Sequence, residues 1–91
     1  MAISIERAEA RMLEFTLGDS PEVHRIPLAS YLPYPFVKRM KSMSMSDLAF
    51  AIIDEFCPEL AEDPSIDLNT IKAIHDAWDK ASREDGADAG K

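Results

Sequence analysis

Between Met12 and Ile26 apolar and polar residues alternate. Leu13, Phe15 and Leu17 stand among Met12, Glu14 and Thr16, the period-two pattern of a half-buried strand. Gly18-Asp19-Ser20-Pro21 follows, four residues that each favour turn geometry for a local steric or hydrogen-bonding reason. A hairpin closed on that turn sets Leu17 opposite Glu22, Phe15 opposite His24, Glu14 opposite Arg25 and Leu13 opposite Ile26. The residue types support this register, because a slip of one position would move every side chain to the other face. Leu13 and Ile26 share the core side, while Glu14 and Arg25 make an opposite-charge pair worth roughly 0.2–1 kcal/mol on the other. Pro27 brings no amide hydrogen to a ladder, so it ends the second strand near Ile26 or puts that strand on an edge. A two-stranded hairpin is marginal in water, and the rest of the chain must cover it.

The covering layer reads as helices. Pro33 and Pro35 flank Tyr34 and push it toward extended geometry, and a helix can begin at Pro35, where a missing amide hydrogen costs nothing. Phe36, Val37, Met40 and Met43 then fall at helical spacing, with an end near Ser42–Ser44. Ser44 and Asp47 have the spacing of a helix start. Leu48, Ile52, Ile53 and Phe56 form an apolar stripe up to about Phe56, where Pro58 ends or kinks the helix. Glu59 to Asp63 allows one further turn before Pro64. Asp67 caps a last helix whose Leu68, Ile71, Ile74, Trp78 and Ala81 share one face. From Glu84 the sequence EDGADAGK has no anchor and reads as a disordered acidic tail. Residues 1–11 place Ile5, Ala8 and Met12 at helical spacing without a cap, so a short helix and a frayed arm both remain open, and Met12 can itself serve as a start codon. The expected architecture is α+β. An arm (1–11) precedes a single domain (12–83), in which an N-terminal two-stranded antiparallel hairpin packs against about three α-helices, and the tail (84–91) follows.

Ninety-one residues support one small core, burying about 60–65 per cent of the unfolded surface, with little room for a deep cleft. The longest apolar run, Leu48 to Ile53, is too short to span a bilayer. The first eleven residues carry Glu6, Arg7, Glu9 and Arg11 and lack the apolar core of a secretory signal, so a cytoplasmic location is expected. The net charge of −7 is uneven: residues 1–45 sum to +1 and residues 46–91 to −8. An acidic half of that size argues against a nucleic-acid backbone and against an anionic membrane surface. A protein partner fits better, including one with a basic segment.

No catalytic constellation stands out. Cys57 is the single cysteine, and its place before Pro58 at the end of an apolar pattern suits a buried structural thiol better than a nucleophile. His24 and His75 lie in different halves of the chain with no third metal ligand at a recognisable spacing. Asp54, Glu55, Glu59, Glu62 and Asp63 read as a solvated acidic face, and the isolated glycines make no phosphate loop. Catalytic, cofactor-binding and metal residues are therefore expected to be none. Met40, Met43 and Met45 with Tyr31 and Tyr34 are either core filler or an adaptable contact surface. Trp78 suits a core or a binding hot spot. These six residues are the candidates for contact with a protein partner, since so small a domain has difficulty burying every stripe.

Taken in order, the hairpin MLEFTLGDSPEVHRIPL, then LPYPFVKRMKSM, the helix SDLAFAIIDEFCPEL, DLNTIKAIHDAW and a polar tail resemble the small tail assembly chaperones of long-tailed bacteriophages and prophages. The resemblance covers about Met12 to Arg83 and lies in element order, length and apolar pattern, with no residue signature to transfer. It implies a protein that is not an enzyme, uses no cofactor and self-associates. Such a chaperone coats the long helical tape measure protein in the host cytoplasm before the tail tube protein polymerises around it. The family often also makes a longer, frameshifted form. A reading of another class is a small acidic adaptor or inhibitor that masks a basic partner surface.

Overall fold

The computed structural model describes residues 2–6 and 9–89, with side chains as far as residue 86. Strands β1 (Met12–Phe15) and β2 (His24–Pro27) pair antiparallel, with Leu13 opposite Ile26, Glu14 opposite Arg25 and Phe15 opposite His24. This is the register that the residue types require. Glu14 and Arg25 approach to 3.4 Å on the solvent side, while Leu13 and Phe15 pack with Ile26 toward the helices. The loop turns at Gly18, whose φ of 55° lies in the left-handed region open to glycine, and the Ser20 amide donates to the Leu17 carbonyl at 3.1 Å.

Pro27 belongs to β2, and the ladder's phase shows why it is tolerated. The Leu28 amide donates to the Arg11 carbonyl at 3.0 Å, which makes Arg11–Leu28 a hydrogen-bonded pair. Alternation then makes Leu13–Ile26 and Phe15–His24 hydrogen-bonded and leaves Met12–Pro27 and Glu14–Arg25 as the non-bonded pairs. At non-bonded positions the peptide groups turn away from the partner strand, so β1 never needs a proline amide. The carbonyls of Arg25 and Pro27 face outward, where side chains from the helices meet them. Trp78 Nε1 donates to the Pro27 oxygen at 2.8 Å, and the Cys57 thiol lies 3.8 Å from the Arg25 oxygen. Just beyond the strand, the Ala29 amide donates to Ser82 Oγ at 3.0 Å. The outer edge of β2 is thereby closed by side chains rather than by a third strand.

A 3-10 turn (Ala29–Tyr31) leads into α1 (Tyr34–Met40), which starts one residue before Pro35. Helix α2 (Met45–Phe56) is capped by Ser44, whose hydroxyl accepts the Asp47 amide at 3.1 Å. The chain breaks at Cys57, where Pro58 cannot continue the hydrogen-bond ladder, and α3 (Pro58–Ala61) is the single further turn. Asp67 caps α4 (Leu68–Ala89) by accepting the Thr70 amide and hydroxyl, each at 2.8 Å. The core joins Ile26, Leu32, Phe36, Ile52, Ile53, Cys57, Leu60, Ile74 and Trp78, with Leu13, Phe15 and Leu17 packed beneath it.

Three features depart from the sequence pattern. Helix α1 takes in Tyr34 and ends at Met40 rather than near Ser42–Ser44. Leu68 is 54% exposed, so the buried stripe of α4 begins at Ile71. The helix also runs past Arg83: residues 84–89, assigned to a tail by composition, are helical, while residues 90 and 91 lie outside the described residues. The Asp85 side chain is buried and accepts from Arg11 Nη1 at 2.6 Å, which ties the end of α4 to the start of the hairpin. The described residues of the arm have no regular secondary structure, and Ile3 and Ile5 are exposed. Among the described residues no helix is long and apolar enough to cross a membrane.

Candidate functional site

Two arrangements could carry chemistry or recognition. The first is an open groove of about 480 Å³ between the loop side of β1 and the first half of α4. Phe15 and Leu17 wall one side because the strand alternation points them at the helices, and the buried Ile74 forms the floor. Ala73 and Ala77, one turn apart on the exposed side of α4, leave a shallow slot in which another helix can approach closely. Asp67, Asn69 and Thr70 make the groove's polar end. The Asp67 carboxyl is held below the ordinary carboxylate value, first by the Thr70 amide and then by its hydroxyl.

The second is a cluster of His24, Cys57 and Glu59. Strand β2 supplies His24 at its first residue, the break between α2 and α3 supplies Cys57, and the first turn of α3 supplies Glu59. His24 Nδ1 lies 2.7 Å from Glu59 Oε2, and the Phe15 ring packs on the imidazole at 5.4 Å between centroids. His24 and Cys57 are buried, whereas the Glu59 side chain is 45% exposed. Glu59 is held below the usual carboxylate range, first by the backbone amide at its own position and then by His24. The thiol is pushed up to about 11, chiefly by burial and secondly by the Glu59 charge. A thiol so protonated is a poor nucleophile, and it matches the buried structural cysteine that the sequence suggests. The three donors were not connected by sequence spacing: His24 is more than thirty positions from Cys57, and only the fold brings them together.

The six residues singled out for partner contact do not share one surface. Trp78 is buried at 4% exposure with its indole N–H donated to the Pro27 oxygen, so it lies in the core. Met40 is half-buried against the core, and Met43 and Tyr31 are half-buried. Tyr34 is exposed with Lys38 Nζ 5.7 Å from its ring centre, and Met45 is exposed beside a shallow recess that also contains Lys72 and His75. The large groove is lined by none of the six. It escaped the sequence because Phe15 and Leu17 read as core, and Ala73 and Ala77 give no signal of their own. The acidic residues 54, 55, 59, 62 and 63 are exposed, as a solvated face requires, although Glu55 and Glu59 pair with Arg39 and His24.

No family model, no curated protein and no solved structure matches this chain.

Proposed function

We propose that this protein is a tail assembly chaperone of the phage or prophage type, acting in the host cytoplasm without enzymatic activity. In this proposal it shields an amphipathic helical segment of a tape measure protein until the tail tube protein assembles around it, and it works as a homo-oligomer. The observation that carries the proposal is the groove over Ile74, with Phe15 and Leu17 on one side and small alanines on the other. An apolar slot along a helix receives the apolar face of another helix, read as anchors at successive turns. Support also comes from the element order in the resemblance and from the acidic second half, which suits a partner helix with a basic flank.

The test is co-expression with the tape measure protein encoded by the same tail gene cluster, followed by sedimentation. The wild-type chain keeps that protein in the supernatant, and Ala73→Arg, placed on an exposed groove position, releases it to the pellet while keeping its own circular dichroism. Equal partner solubility with the variant and the wild type refutes the groove as the docking site. No effect of the wild type on solubility refutes the chaperone function. The acidic-mask alternative separates by salt, because a charge-led complex dissociates steeply with ionic strength and an apolar one persists.

A further inference from the structure

We propose that His24, Cys57 and Glu59 form a three-ligand site for a divalent transition metal of the zinc class, with a water at the fourth position on the solvent side of Glu59. The donors come from a strand, a helix break and a helix first turn, and their ligand atoms all lie within 4.8 Å of one another. Imidazole, thiolate and carboxylate together are the donor set that zinc takes. Tetrahedral zinc, with bonds of about 2.0–2.3 Å, sets its donor atoms about 3.3–3.6 Å apart. The His24–Glu59 separation of 2.7 Å must open slightly, and the thiol must close by up to about 1 Å toward that spacing. Glu59 has the freedom for this, because its side chain is half exposed, while Phe15 and burial keep the imidazole in place.

Burial and the Glu59 charge both hold the Cys57 proton on, so a metal must displace that proton and binding strengthens as pH rises. On binding, the thiol proton leaves to solvent and a metal–sulfur bond takes its place. The ion would fasten β2 to the break between α2 and α3. A plain hydrogen-bonded histidine–glutamate pair beside an inert thiol accounts for the same geometry without metal, and the two differ in what they bind.

The experiment is a titration of the reduced, metal-free full chain with cobalt(II). One equivalent is expected to produce a thiolate-to-cobalt charge-transfer band and the visible bands of tetrahedral cobalt, both bleached by zinc. Cys57 is the only cysteine, so the charge-transfer band reports it alone. Cys57→Ser abolishes that band. Glu59→Gln, altered at a half-exposed side chain, keeps the fold and weakens cobalt binding by at least about tenfold. A folded wild-type chain with no charge-transfer band overturns the proposal, and so does a Glu59→Gln variant that binds as tightly as wild type. Should Cys57→Ser fail to fold, the wild type and Glu59→Gln decide alone.

Discussion

Trp78→Phe tests the closure of the β2 edge directly. In the native protein the indole N–H meets a Pro27 carbonyl that faces away from β1, so removing the donor leaves a buried oxygen without that partner. An unsatisfied buried acceptor costs about 1–3 kcal/mol. Shrinking indole to phenyl in a site only 4% exposed adds about 1 kcal/mol for the space left unfilled. The expected loss is therefore about 2–4 kcal/mol, from a total of about 5–14 kcal/mol for a chain of this length. Urea unfolding followed by far-ultraviolet circular dichroism measures it, since the only tryptophan is gone from the variant. With a slope of about 1–1.5 kcal/mol per molar urea, the midpoint falls by roughly 1.3–4 M. Replacing Trp78 by benzothienylalanine, a near-isostere without the N–H, isolates the hydrogen bond and should retain about 1–3 kcal/mol of the loss. A benzothienyl variant as stable as wild type would show that the outward carbonyl does not depend on α4, and the account of how β2 is closed would fail.

Ser44→Ala removes the cap of α2 and should cost about 1 kcal/mol in the same assay. Ile26→Ala, at the fully buried centre of the hairpin face, should cost about 2–5 kcal/mol and leave little folded protein at moderate urea. Arg11→Ala strips the cation from a buried Asp85 carboxylate near the end of α4, where the helix dipole already disfavours negative charge; a loss of about 1–3 kcal/mol is expected, seen as a lower unfolding midpoint. Asp67 has its folded value depressed below the ordinary 3.8, so its contribution is complete above that value and disappears as pH falls through the lower folded one. Thermal melts of Asp67→Ala and wild type should thus differ at pH 6 to 7 and converge in strong acid; a gap that widens with acid would contradict the capping role.

The hairpin was legible because its alternation is strict and one charged pair fixes the register, as Leu13–Ile26 and Glu14–Arg25 illustrate. The helix starts at Ser44 and Asp67 and the break at Pro58 were legible because capping and proline effects act within one turn of the chain. The continuation of α4 was not, since Gly86 and a run of acids oppose helix locally, and the tie that holds Asp85 comes from Arg11, 74 positions away. The candidate site was hidden for the same reason. His24, Cys57 and Glu59 meet only after β2 docks on the helices, and Trp78 was ambiguous until Pro27 appeared as its acceptor.

The Arg11–Asp85 contact makes the two extremities of the folded body neighbours at one corner. A few linking residues could therefore join them, and a circularly permuted chain opened in the exposed turn at Pro64–Ser65 should keep the same topology.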